Sequence, residues 1–151
     1  MRYLRQHGLD NVIRSLRQPV LGICVGQQLL CAHSDEGDVD CVGIFPENVR
    51  KFTPDDHELK VPEMGWNRLR DIKSPLFKGV KEGDYVYFVH SFYVPTCEFT
   101  IATADYSVPY SAALRRDNFW AVQFHPEKSG AVGELILRNF LEMDPSKEKD
   151  E

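Results

Sequence analysis

Three observations in this sequence predict an α/β fold. The apolar run Val20-Leu21-Gly22-Ile23 fits a buried strand, and it passes through a glycine-flanked cysteine straight into residues 27–32, which read as the first turns of a helix. Four segments rich in β-branched and aromatic residues follow at near-regular spacing, at 84–94, 99–104, 110–115 and 119–124. Apolar residues at helical spacing bracket them, with Leu4, Leu9, Val12, Ile13 and Leu16 near the start and Leu135, Ile136, Phe140 and Leu141 near the end.

In chain order, residues 3–16 read as a helix that Gly8 interrupts or restarts. The strand at 20–23 is apolar enough to be buried on both faces, yet no βα unit precedes it. After the cysteine turn a helix is expected through about Ala32, then a loop at 34–38. Residues 42–45 and 49–52 read as two short strands around Pro46-Glu47-Asn48, and 53–58 as a polar turn. Residues 61–67 read as neither helix nor strand, with Trp66 assigned by default to the core. A short helical turn at 75–80 is stopped by Gly79. Asp117-Asn118 is the turn between the last two strands. The final helix covers 131–142, with Leu135, Ile136, Phe140 and Leu141 expected toward the core.

The 151 residues suffice for one domain with a real core. A net charge of −5 argues against a nucleic-acid partner or an anionic membrane surface. No apolar run approaches membrane-spanning length, and the first residues lack the apolar centre of a signal peptide. Four cysteines, Cys24, Cys31, Cys41 and Cys97, form no C-x-x-C pair and are too sparse for a disulfide scaffold, which points to a reduced, cytoplasmic protein.

The chemistry resides in two motifs. In Gly22-Ile23-Cys24-Val25-Gly26 a cysteine sits on a sharp strand-to-helix turn, where side chains two positions away would block the close approach of strand and helix. The turn holds the thiol clear of the sheet at a helix N-terminus, where the dipole favours thiolate. Alone, this pattern is more often a buried cysteine in a glycine-containing turn. The second motif is Gln123-Phe124-His125-Pro126-Glu127, a strand stopped by proline with His125 at its end. Strand ends are where α/β sheets gather catalytic groups. His125 and Glu127 are two apart on an extended segment, so the carboxylate can fix the imidazole tautomer and stabilise the imidazolium. Together the motifs point to a Cys24–His125–Glu127 triad, with the imidazole activating the thiol.

Gly22-Ile23-Cys24-Val25-Gly26-Gln27-Gln28 together with Phe124-His125-Pro126-Glu127 resembles the class I, or triad, glutamine amidotransferases. Lys60-Val61-Pro62-Glu63-Met64-Gly65-Trp66-Asn67, Tyr87-Phe88-Val89-His90-Ser91-Phe92 and His125 through Gly130 look like the glutaminase subunits of imidazole glycerol phosphate synthase, of histidine biosynthesis. The resemblance implies a flavodoxin-like sheet flanked by helices over residues 1–143, lacking the N-terminal βα units; residues 144–151 are a mostly charged tail. It implies Cys24 as nucleophile, His125 as general base and acid, and Glu127 as the residue that orients it. Val25 is expected to supply an oxyanion amide. Gln28 and Glu36 are expected to hold the substrate glutamine, with Ser91 and Phe92 beside it. Pro62, Met64, Trp66, Asn67, Tyr87 and Lys128 match the face that meets the cyclase subunit in a heterodimer. No metal and no cofactor is implied. The alternatives are a glutaminase serving another class I synthase, or an inactive fragment.

Two departures stand out. Glu63 occupies a position where the family commonly has His. The family also opens with strands and helices, including a Pro-Gly-x-Gly segment that supplies an oxyanion amide, ahead of the first helix seen here. The chain is therefore expected to be the C-terminal three-quarters of such a domain, with little or no glutaminase activity even beside a cyclase partner.

Overall fold

The computed structural model describes residues 1–144, so the tail expected at 144–151 lies outside the described residues except for Asp144. The chain runs α1 (Arg2–Gln6), α2 (Leu9–Ser15), β1 (Val20–Ile23), α3 (Val25–Leu29), β2 (Cys31–Ser34), β3 (Val39–Asp40), β4 (Phe45–Lys51) and β5 (Glu63–Arg68). It continues through a 3₁₀ turn (Pro75–Phe77), β6 (Tyr85–His90), β7 (Phe92–Tyr93), β8 (Thr100–Tyr106), β9 (Val108–Arg116), β10 (Phe119–Val122), a second 3₁₀ turn (Pro126–Lys128) and α4 (Gly130–Leu141). Gly8 adopts φ 66° and restarts the opening helix, which settles that alternative.

The first sheet has strand order β1-β10-β9-β8. β1 runs parallel to β10, with Val20 opposite Phe119 and Ile23 opposite Val122, so both strands end side by side. All four residues of β10 are buried. Their alternation serves two cores. Trp120 and Val122 join Phe52, Leu76, Phe88, Tyr110, Phe124 and Ile136, whereas Phe119 and Ala121 join Leu30, Phe45, Val49, Val94 and Leu114. The second sheet, β3-β2-β4-β7, covers the latter core. The third is the β5–β6 hairpin-like pair, in register from Glu63 opposite His90 to Arg68 opposite Tyr85.

Several expectations need correction. Residues 84–94 form two strands, β6 and β7, in different sheets, and β1 is an edge strand whose Val20, Leu21 and Ile23 are only half-buried. The helix after Cys24 ends at Leu29, and Cys31–Ser34 is a strand, because pairing with β3 and β4 and burial of Leu30 and Cys31 against Phe45 outweigh the helical pattern. Residues 42–45 and 49–52 are not two strands. One strand, β4, runs through Pro46, which falls at the irregularity between the Cys31–Phe45 and His33–Asn48 pairs, where a missing N–H is tolerated. Residues 61–67, left unassigned, contain most of β5, whose Gly65 and Asn67 are poor strand formers that full pairing with β6 overrides. Trp66 is 55% exposed rather than in the core. Leu141 is 81% exposed, and Ile136 with Val132 and Phe140 supplies the apolar side of α4 instead.

Candidate active site

Cys24 sits where β1 hands over to α3, at φ 55° and ψ −107°, a conformation non-glycine residues avoid. Its N–H donates to the Val122 carbonyl at 2.8 Å, which ties the turn to the end of β10. Gly22 makes the turn possible. A Cβ there would lie 2.9 Å from the Gly26 carbonyl carbon and oxygen and from Leu30 Cδ1. Gly26, expected to be equally restricted, has open space where its Cβ would be; its backbone is the surface that Gly22 meets.

His125 follows the end of β10 and is held by two neighbours. Its N–H donates to the Tyr87 carbonyl in β6 at 2.9 Å, and its own carbonyl accepts from Ser129 Oγ at 2.6 Å. Ser129 Oγ in turn accepts from the Tyr87 N–H at 3.0 Å. Pro126 and the 3₁₀ turn swing Glu127 back, so that Oε1 meets His125 Nδ1 at 2.6 Å. With Nδ1 paired to a carboxylate, Nε2 is the nitrogen left for a thiol or a leaving group.

The thiol is placed differently from expectation. Among the described residues Cys24 Sγ donates to the Val89 carbonyl at 3.8 Å and accepts from Gln123 Nε2 at 3.7 Å, and it makes no hydrogen bond to His125. Burial pushes the thiol up, the Val25 amide and the Gln123 side chain pull it down, and the charges of Glu127 and Glu36 push it up further. The net direction is upward, so burial outweighs the single-turn helix whose dipole was expected to favour thiolate. Burial thus favours the protonated form of the Cys24 thiol.

The other expected residues divide. Val25 is the first residue of α3, with its amide beside the thiol. Glu36 is exposed on the β2–β3 turn, close enough for its charge to act on Cys24. Gln28 is buried; its Nε2 donates to the Phe92 carbonyl at 3.2 Å and to Gln123 Oε1 at 3.1 Å, bracing the Ser91-Phe92 segment against α3. Met64, 67% exposed, and Trp66 share the outer face of β5, and the Trp66 ring meets Tyr87 edge-on with centroids 6.0 Å apart. Pro62 and Lys128 are exposed. Asn67 lies on the opposite side of the strand, where Nδ2 donates to Glu63 Oε1 at 2.8 Å and to the Asp105 carbonyl at 2.9 Å.

Sequence reading missed Gln123, His90 and Tyr110. Gln123 was quoted only as the start of the second motif, although its amide reaches both Cys24 and Gln28. Strict alternation along β6, with Val86, Phe88 and His90 all buried, was the available signal for an inward His90. Among the described residues no helix is long and apolar enough to cross a membrane.

A cysteine on a strained strand-to-helix turn beside a strand-end His–Glu pair, in an α/β fold, is the arrangement of a thiol-dependent enzyme class. The family model "Glutamine amidotransferase class-I" matches residues 6–143, and the chain belongs to that family. It is 59% identical over 143 residues to the imidazole glycerol phosphate synthase subunit HisH of Bacteroides thetaiotaomicron, covering 95% of this chain and 73% of that protein. Against the HisH subunit of Escherichia coli K12 the identity is 48%, with the same coverage. Among solved structures it superposes on a glutamine amidotransferase from Thermotoga maritima (TM-score 0.60, 17% identity, 97% of this chain and 56% of that one). It also superposes on the glutaminase domain of Trypanosoma brucei CTPS with bound acivicin (TM-score 0.58, 16% identity, 89% and 64%). At these identities the structural likeness speaks for the fold alone.

Proposed function

We propose that this chain hydrolyses glutamine to glutamate and ammonia as the glutaminase subunit of imidazole glycerol phosphate synthase, feeding ammonia to the cyclase subunit in histidine biosynthesis. Family membership and the likeness to HisH subunits support the activity. The observation that carries the residue assignment is the side-by-side ending of β1 and β10. It puts Cys24, on a strained turn, beside the strand whose extension bears the His125–Glu127 pair.

Cys24 gives its proton to His125 Nε2 as the sulfur attacks the side-chain amide carbon of glutamine. Burial raises the thiol, so the imidazole takes up its proton as the attack proceeds. The Val25 amide, at the helix start, receives the oxyanion of the tetrahedral intermediate. His125 then returns the proton to the departing nitrogen, and ammonia leaves. A water, deprotonated by the same imidazole, cleaves the thioester to glutamate and restores the thiol. Glu127 holds Nδ1–H throughout and stabilises the imidazolium. Glu36 pairs with the α-ammonium group of the substrate. The outer face of Met64, Trp66 and Tyr87, with Pro62 and Lys128, receives the cyclase.

The test is the full protein in complex with the cyclase. Cys24→Ala should abolish glutamine-dependent ring closure and leave ammonia-dependent ring closure intact. Persistent glutamate release from that variant would overturn the assignment.

A further inference from the structure

Beneath the outer face of β5 lies a buried polar group of residues that the mechanism does not use. Glu63 and His90 stand directly opposite one another on β5 and β6. Their side chains are 5% and 1% exposed, and His90 Nε2 meets Glu63 Oε2 at 2.8 Å. Both carboxylate oxygens are engaged, since Tyr110 Oη donates to Oε2 at 2.7 Å and Asn67 Nδ2 to Oε1 at 2.8 Å. The Glu63 that departs from the family pattern therefore points inward. It leaves the outer face of Met64 and Trp66 unaltered.

The other ring nitrogen of His90 faces the Phe92 carbonyl at 2.8 Å. A carbonyl oxygen only accepts, so Nδ1 carries a proton. Phe52, Phe88 and Tyr110 pack around the ring and fix its plane. The Phe92 carbonyl is also the acceptor for Gln28, whose amide continues to Gln123 and, through it, to Cys24 Sγ. One oxygen thus joins a buried ionisable pair to the nucleophile turn. A buried carboxylate costs free energy unless its geometry is well satisfied, so a simpler apolar filling would be expected if packing were its only purpose.

We propose that Glu63 and His90 are positioning residues for the glutamine site: the carboxylate clamps the imidazole so that Nδ1–H fixes the Phe92 carbonyl, and with it the segment that borders the substrate. This rests on the glutaminase reading. The pair acts through backbone placement and touches no reacting atom, so it governs substrate binding more than the covalent step.

The amide side chains separate the two halves of the clamp. An Asn at position 90 can offer its N–H where Nδ1 was, keeping the Phe92 bond and losing Glu63. A Gln there can reach Glu63 in place of Nε2 and loses Phe92. With the full protein in complex with the cyclase, His90→Gln should raise the KM for glutamine about tenfold, the size of one net hydrogen bond, with kcat within about twofold. His90→Asn should keep KM within about threefold of the parent even though its melting temperature falls as far or further, because the buried carboxylate loses its ring partner. A second pair guards against a variant that fails to fold. Glu63→Gln, which can still donate to His90 Nε2, should keep KM, and Glu63→Ala, which frees the ring, should raise it. If KM instead follows melting temperature across the four variants, the pair is structural only and the proposal falls. If the unsubstituted complex releases no glutamate from glutamine, the glutaminase reading itself falls, and the proposal with it.

Discussion

The backbone N–H of His125 donates to the carbonyl of Tyr87 at 2.9 Å. Tyr87 also presents its ring to Trp66 on the outer face of the β5–β6 pair. The same residue therefore fixes the imidazole-bearing segment by its main chain and forms part of the exposed aromatic face by its side chain. Ser129 closes the bracket, accepting from Tyr87 N–H and donating to the His125 carbonyl. Ser129→Ala leaves the Tyr87 N–H and the His125 carbonyl without this partner, which should cost about 1–3 kcal/mol of stability. kcat for glutamine hydrolysis should fall further than KM changes, and steady-state kinetics with a thermal melt checks both.

The turn at Cys24 gives a contrast between two glycines that look alike in the sequence. Gly22→Ala places a methyl 2.9 Å from the Gly26 backbone, which cannot yield like a flexible side chain. Overpacking of this kind costs about 1–3 kcal/mol. Gly26→Ala meets nothing within 4 Å and should fold normally. Chemical denaturation of the two variants, with labelling of Cys24 by a glutamine-like electrophile, should show loss of both stability and labelling for Gly22→Ala and loss of neither for Gly26→Ala.

Much of the site was legible because its parts are local. Cys24 between glycines and His125 two residues before Glu127 are short patterns whose geometry follows from strand and turn periodicity. The parts that were not legible depend on partners far along the chain. The segment at β2 looked helical because Leu30 and Cys31 suit either period, and pairing with β3 and β4 decides it. β5 was unassigned because its pairing with β6, not its own residues, makes it a strand. The inward role of Glu63 depends on His90 and Tyr110, each many residues away. The state of the Cys24 thiol was misjudged for a related reason: the helix dipole can be read from sequence, but the burial that outweighs it cannot.

Glu127 acts on Cys24 in two opposite ways, which one substitution can separate. Burial is the main cause that raises the thiol, and the Glu127 charge adds to it. Glu127→Gln should lower the Cys24 pKa and quicken alkylation of the free enzyme by iodoacetamide. The same change loosens the hold on His125 Nδ1, so glutamate release should slow by about 10²-fold or more. Alkylation that slows along with turnover would contradict this placement of the carboxylate.

His33 predicts a pH dependence in the hairpin that carries Glu36. Its Nδ1 lies 2.9 Å from Asp40 and its Nε2 3.0 Å from Asp38. The hydrogen bond to Asp40 chiefly, with the charges of both carboxylates, raises the imidazole above its ordinary value of 6.5. A raised folded value means the stabilisation is complete below about pH 6.5 and is lost as pH rises through the folded value. Amide exchange at residues 35–38 should therefore quicken above that range beyond its intrinsic pH trend. His33→Gln should remove the extra pH dependence.

The outer face of β5 and β6 yields the prediction that bears on the partner. Trp66 and Met64 are large apolar side chains standing in solvent, on a strand whose inward positions are already filled by Glu63, Gly65 and Asn67. Their exposure means that the fold does not need them. An exposed tryptophan flanked by a second aromatic ring is the kind of anchor that dominates protein interfaces, where truncation to alanine costs about 2 kcal/mol or more. Trp66→Ala should thus weaken binding of the cyclase by about 30-fold or more, by the relation of free energy to affinity. The melting temperature of the free subunit should move by no more than about 1–2 °C, since surface substitutions stay within about 0.5 kcal/mol. Arg68 offers a control on the same face. It donates to Tyr85 Oη at 2.8 Å at the far end of the pair, and Arg68→Ala should change affinity much less. Titration of each variant with the purified cyclase, followed by calorimetry, reads both quantities. A Trp66→Ala subunit that binds as tightly as the parent would place the cyclase on another face.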